Sequence, residues 1–232
     1  MKAVHQSSSS IVLEAARELE EGKGILLHDS EGRENETDIV FSAIHCTPEN
    51  IAYMRREAGG LICAAIGNEV AEKLGLPFMH DVLSGISSTY PVLSSLVETS
   101  TPYGGRPAFS ISLNHRVSFT GVTDRDRSAT VMAIGKAAGM VASGDENARS
   151  EFISTLKAPG HVPLLIEAPG SIVERRGHTE LSIRLMRMAG LPPASVVCEM
   201  LDNVTHKALS LEDAKRFAAR NGMVLVEGKE IF

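Results

Sequence analysis

Residues 178–228 read "HTELSIRLMRMAGLPPASVVCEMLDNVTHKALSLEDAKRFAARNGMVLVEG". Within them "HTELSIRLMRMAG" predicts a helix, "ASVVCEML" a strand, "SLEDAKRFAARNG" a helix and "MVLVEG" a strand. Ser210 and Asp213 have capping-box spacing, with Asp where Glu or Gln is usual. Gly222 suits the position just past the last helical turn. Helices and strands that interleave in this way point to one mixed α/β domain.

The same alternation extends towards the N-terminus. Ser10 can cap a helix carrying Ile11, Ala15 and Leu19, which Gly22 and Gly24 stop. "GILLH" and "DIVFSAIHC" read as strands, and "TPEN", residues 47–50, as a helix start running to the paired glycines of "EAGG". "LICAAI", "FSISLN" and "PLLIEA" follow as strands, and "DRDRSATVMAIGKAAGMV" as a helix beginning near Asp126. Residues 75–107 are rich in Gly, Ser, Thr and Pro and read as a long surface excursion, not a linker. No internal repeat or low-complexity segment divides the chain, so an α/β (α+β) fold with a single domain over residues 1–232 is expected.

The formal net charge of -6 disfavours a broad nucleic-acid surface. Cys46, Cys63 and Cys198 lie far apart with no CxxC, a pattern of reduced thiols. The N-terminal stretch lacks the apolar core of a signal peptide, and no apolar run approaches the ~20 residues that cross a bilayer. A soluble, cytoplasmic protein with no membrane contact is expected.

Three places resist a purely structural reading. "HDSEGRENETDIVF", residues 28–41, crowds Asp29, Glu31, Glu34, Glu36 and Asp38 around Arg33. Like charges repel and ionised carboxylates resist losing water, so the stretch is either a solvated loop or a site built around a cation. Oxygen-rich loops suit Mg²⁺. "ERRGHTELSIRLM", residues 174–186, sets Arg175, Arg176, Gly177, His178 and Thr179 at a helix start. That is either a phosphate cradle or a basic loop capped by Thr179 with His178 exposed. In "SVVCEML", Glu199 lies inside an apolar strand, where it either points outward or meets a donor, a cation or a substrate. In "KAPGHVPLL", Pro159 and Gly160 predict a turn presenting His161, on its own an ordinary surface histidine. Asp124, Asp126 and Arg127 of "TGVTDRDRSAT" read as a helix cap with ion pairs.

Taken in order, "RENETD", "AGGLIC", "FTGVTDRDR", "PGHV", "RRGHTE", "CEM" and "AKRFAARNGMVLV" resemble the 3,4-dihydroxy-2-butanone-4-phosphate synthase family of riboflavin biosynthesis, from Ile11 to Val226. The resemblance implies a mixed β-sheet flanked by helices and a lyase using Mg²⁺, with Mn²⁺ as an alternative. That lyase converts D-ribulose 5-phosphate into formate and L-3,4-dihydroxy-2-butanone 4-phosphate. It puts metal ligands at Glu34 and His178, and substrate contacts at Arg33, Glu34, Asp38, Arg175, Arg176, Gly177, His178, Thr179 and Glu199. His161 and Glu199 fall where the family has its catalytic positions, Cys63 near the substrate. It further implies a homodimer with active sites at the subunit boundary; with the sequence ending at Phe232, the GTP cyclohydrolase II domain fused in some members is expected to be absent. Two departures stand out: Lys157 where many members have arginine, and Thr37 where many have glycine. A rival with the same architecture, the threonylcarbamoyl-adenylate synthase family, would call for a basic concave surface.

Overall fold

The structure, a computed structural model, describes residues 10–97 and 100–232. The chain runs α1 (Ser10–Glu20), β1 (Ile25–His28), β2 (Thr37–Ser42), α2 (Pro48–Tyr53), β3 (Cys63–Ile66), α3 (Asn68–Leu74), α4 (Met79–Gly85), α5 (Leu93–Leu96) and β4 (Phe109–His115). It continues with α6 (Asp124–Ala142), α7 (Ala148–Thr155), β5 (Leu156–Ile166), α8 (His178–Met188), β6 (Ala194–Glu199), β7 (Leu201–Asp202), β8 (Lys207–Ala208), α9 (Leu211–Asn221) and β9 (Leu225–Glu227).

Seven strands form one sheet in the order β4-β5-β3-β6-β2-β1-β9, and β7 and β8 form a separate hairpin. The sheet is mixed: β1 with β9 and β3 with β5 are parallel, and the other neighbours are antiparallel. Strand alternation sorts the core into two layers. Leu26, Ile39, Phe41, Ala64, Ile66, Val196 and Cys198 pack on one face with Val131, Ile134 and Ala138 of α6. Ile25, Leu27, Val40, Cys63 and Val197 pack on the other with Val12, Ala15 and Leu19 of α1 and Leu181, Leu185 and Met186 of α8. Both faces of the central strands are therefore covered, which is why those strands read as continuous apolar runs.

Several expectations are refined. Thr47 caps α2 in a reciprocal capping box with Asn50, and the helix passes into a π-turn over Met54–Ala58 before Gly59 ends it at φ 85°. Thr123 caps α6 through the Asp126 amide, so the helix begins at Asp124. Ser210 accepts the Asp213 amide and donates its hydroxyl to the Asp213 carboxylate (2.6 Å). The excursion carries the short helices α4 and α5, and α3, α7 and the β7–β8 hairpin were not anticipated.

The predicted turn at Pro159–Gly160 lies inside β5. Leu113 pairs with Val162 and Asn114 with Lys157, so residues 158–161 bulge from the ladder. Proline has no N–H to give the neighbouring strand, and the pairing resumes on either side of it.

The core makes a direct prediction. Ile134, 1% exposed on the sheet-facing side of α6, is predicted to cost about 2–5 kcal/mol on substitution by alanine. Urea unfolding checks this through a lower midpoint at unchanged slope.

Candidate active site

The acidic stretch folds around one buried carboxylate. Asp29 accepts the backbone amides of Glu34 (3.0 Å) and Glu36 (3.0 Å) and the Arg33 guanidinium (3.2 Å), and is itself 3% exposed. These three donors hold the loop, aided by Asn35 in the left-handed region at φ 56°. Glu31 stays in solvent, while Glu34 turns inward.

Strand pairing places the next group. In the β2–β6 ladder Asp38 lies opposite Glu199, on the sheet face that α8 covers. Thr37 sits as an ordinary strand residue, with its hydroxyl 3.0 Å from His28 Nδ1. Glu199 is half-buried and accepts the Leu61 amide at 2.8 Å; a Cβ on Gly60 would come within 2.5 Å of that carboxylate. Of the two sequence readings for Glu199, the paired one holds.

α8 enters this face from its N-terminus. Gly177 is the cap residue, with the Glu180 side chain accepting its amide at 3.1 Å, so Thr179 is not the cap and His178 is buried. A Cβ at Gly177 would stand 2.6 Å from Arg33 Nη2, which accounts for glycine there. The first helical amides, those of His178 and Thr179, have no intrahelical acceptor. Beside them Arg175 is bound through Nη1 to both oxygens of Glu180 (3.2 and 3.3 Å), and its Nε is buried without a partner.

His178 joins the two halves. Its Nδ1 lies 3.2 Å from Glu34 Oε2, and its Nε2 lies 3.2 Å from the Glu36 carbonyl and 3.6 Å from Asp38 Oδ1. Both ring nitrogens thus face oxygen acceptors, the surroundings of an imidazolium. Burial opposes that charge, but Asp38, Glu34 and Asp29 outweigh it and raise the His178 pKa to about 10. Burial also opposes ionisation of Glu34, yet His178, Tyr103 and Arg33 hold it at about 2. Burial raises Asp38, against the pull of His178, with Glu199, Glu34 and Glu36 adding to the rise.

Glu34, Asp38, Cys63, Arg175, His178, Thr179 and Glu199 line one cleft of about 220 Å³, with Tyr103 of the excursion on its rim. Burial pushes the Cys63 thiol well up, with Glu199 and Asp38 adding to the shift, so this side chain is a neutral wall. Arg33 lies 4.7 Å under the Tyr103 ring and 3.0 Å from Glu34.

The donor set fits a divalent cation. Ligand atoms of Asp29, Glu34 and His178 lie within 4.8 Å of one another. Both Asp29 oxygens are already taken by the loop amides and Arg33, whereas Asp38 Oδ1 is buried with no hydrogen-bond partner. Glu34 and His178 are thus the members of the group whose ligand atoms are not committed to holding the loop.

Of the other expected site residues, Arg33 and Gly177 stand beside the cleft without lining it, Arg33 paired with Glu34 and Gly177 capping α8, and two lie elsewhere. Arg176 is exposed, with its guanidinium 4.3 Å over the Phe232 ring. His161 is exposed on β5, held by Asn114, and does not line the cleft of its own chain. Lys157 points to the carbonyls of Arg116 and Ser118 (3.4 Å each). Sequence reasoning passed over Asp29 as an organiser, Tyr103 and Glu180. Glu180 had a signal, the Gly-x-x-Glu spacing of a helix start; Tyr103, in an aperiodic stretch, had none.

The sequence model of the family described as 3,4-dihydroxy-2-butanone 4-phosphate synthase matches residues 13–232. The enzyme of that name from Methanothermobacter thermautotrophicus is 42% identical over 221 residues, covering 95% of this chain and 94% of its own. The one from Archaeoglobus fulgidus is 43% identical over 219 residues, covering 94% and 91%. Among solved structures, a 3,4-dihydroxy-2-butanone 4-phosphate synthase in complex with two magnesium ions superposes with a TM-score of 0.75 at 25% identity, covering 94% of this chain and 93% of that one. The chain belongs to the 3,4-dihydroxy-2-butanone 4-phosphate synthase family.

Proposed function

We propose that the protein is a lyase that converts D-ribulose 5-phosphate into L-3,4-dihydroxy-2-butanone 4-phosphate and formate in riboflavin biosynthesis, using Mg²⁺ or alternatively Mn²⁺. The observation that carries this reading is the meeting of Glu34 and His178, 144 residues apart in sequence, at 3.2 Å in a cleft shared with Asp38, Arg175 and Glu199. The whole chain, residues 1–232, is read as one catalytic domain.

Glu34 and His178 are the residues that would hold the cation. A divalent ion held there would supply Lewis-acid stabilisation of the negative charge that develops on the substrate. Arg175, fixed by Glu180, and the amides of His178 and Thr179 are the groups that would receive the phosphate. Anchoring the phosphate there orients the reacting carbons, so that binding energy remote from the chemistry serves catalysis. Asp38, on the cleft wall, would meet the sugar hydroxyls, and Arg33, paired with Glu34 beside it, would support that contact. Glu199, on the cleft wall, is a proton acceptor and donor, and His161 is the second catalytic group, acting on the substrate by hydrogen bonding.

Large apolar side chains support a homodimer with its sites at the subunit boundary. Val117, Phe119 and Val122, in the loop after β4, are 81%, 98% and 53% exposed, a cluster that a second subunit would cover. An active site that needs His161, which stands outside its own chain's cleft, also fits a shared boundary. Among the described residues no helix is long and apolar enough to cross a membrane. Cys46, Cys63 and Cys198 are all free thiols, which suits the cytoplasm.

Incubation with ribulose 5-phosphate and Mg²⁺ is predicted to release formate; a folded protein that releases none would defeat the lyase reading. His178→Ala and Glu34→Gln are each predicted to weaken Mg²⁺-dependent turnover by at least about 10-fold, the loss seen even for groups that only support a ligand. Normal metal dependence in either variant would remove it from the ligand set. The raised His178 pKa sets a pH dependence with a definite sign. The ring keeps its proton up to about 10, so a cation must displace that proton, and each fall in pH strengthens the competitor. Mg²⁺ affinity is therefore predicted to rise between about pH 6.5 and 8.5, with proton release detectable by calorimetry in buffers of different ionisation enthalpy.

A further inference from the structure

The bulge in β5 leaves His161 in a setting unlike that of His178. Because the ladder jumps from Leu113–Val162 to Asn114–Lys157, the His161 amide has no strand carbonyl opposite it. The Asn114 side chain replaces that partner: its Oδ1 accepts the His161 backbone N–H at 2.9 Å. That bond settles which end of the amide is which, since a rotated side chain would set an NH₂ group against an N–H. Asn114 Nδ2 must then be the atom 3.1 Å from His161 Nδ1, and Nδ2 can only donate.

The amide has no freedom to turn away. Asn114 is 6% exposed, and a Cβ on Gly121 would stand 2.1 Å from Nδ2 and 2.5 Å from Oδ1. Gly121 therefore lies against the amide plane. On the other side, a Cβ on Gly160 would meet the Leu113 carbonyl carbon at 1.9 Å, so the bulge itself is pressed onto the Leu113–Asn114 peptide.

We infer that Asn114 is a positioning residue that locks His161 as the neutral tautomer with Nδ1 accepting and the proton on Nε2. The ring then offers an N–H outward. It polarises a substrate oxygen by hydrogen bonding, and it is not the base that takes the first proton from carbon. To serve as that base through Nε2, the ring would need a proton on Nδ1, where Asn114 presents a second donor. No proton leaves His161 in this role, so no charge on the ring has to be balanced.

The role of His161 rests on the reading given under Proposed function, but its tautomer is measured separately. Ring-¹⁵N-labelled protein, full length and with Mg²⁺, is examined by long-range ¹H–¹⁵N spectra near neutral pH, with His161 assigned by the signals lost in His161→Gln. The wild-type ring is predicted to show an unprotonated Nδ1 and a protonated Nε2. Asn114→Asp, equal in size but accepting at both oxygens, is predicted to move a proton to Nδ1. In that variant kcat for formate release falls about 100-fold while KM stays within about twofold, the split expected when only a transition-state contact is lost. A protonated Nδ1 in the wild type overturns the inference, as does Asn114→Asp with Nε2 left unprotonated and unchanged kcat. The wild-type spectrum decides even if the variant folds poorly. Absence of formate from the wild type, with the tautomer as predicted, overturns the reaction and leaves the Asn114 lock standing.

Discussion

The β2–β6 register, with Asp38 opposite Glu199, is the constraint on which the site depends. Side chains alternate along a strand, so a slip of one residue would turn one of the two carboxylates to the face that α6 covers and carry Ile39 or Cys198 out of its packing there. The apolar packing of that face against α6 fixes the register, and the acidic pair is carried along with it. Two carboxylates that repel each other are thus held together by hydrophobic packing that has no direct part in the chemistry.

The same logic runs through the acidic loop. Asp29 is buried, a costly position for a carboxylate unless its oxygens find donors. Two loop amides and Arg33 supply them, and the turn they impose aims Glu34 at His178. His178 and Arg33 then bring cationic donors to the cluster while Asp38 keeps an oxygen without a partner. A cluster left in that state is electrostatically prepared for an added cation, because a divalent ion relieves the repulsion that burial sharpens.

Elements whose evidence is local were readable in the sequence. Thr47 before Pro48, Ser210 before a helix and Gly222 after it mark boundaries that depend only on neighbouring residues. The apolar central strands were readable for the same reason. What escaped depends on contacts between distant residues. Five acids at residues 29–38 look alike in composition, and only folding makes Asp29 an organiser, Glu31 a solvated charge and Glu34 a cleft group. Arg175 and Arg176 are adjacent and chemically identical, yet one is clamped by Glu180 beside the cleft and the other stacks on Phe232. Pro159 and Gly160 gave a correct break signal but not its outcome, since a turn and a bulge share the same residues.

The two histidines show most plainly what a sequence withholds. Both follow a glycine, and both stand where family resemblance expects function. His178 faces acceptors at both nitrogens, a glutamate at one and a carbonyl at the other, and so favours a proton at each. His161 faces a donor at Nδ1, contributed by an asparagine whose other end replaces a missing strand carbonyl. The difference does not lie in the imidazole or in the sequence beside it. It follows from a proline that cannot donate to a ladder, the bulge that results, and the side chain recruited to close the gap. A backbone defect in β5 thereby decides which partner a side chain meets, and the fold sets one histidine among acceptors and the other against a donor.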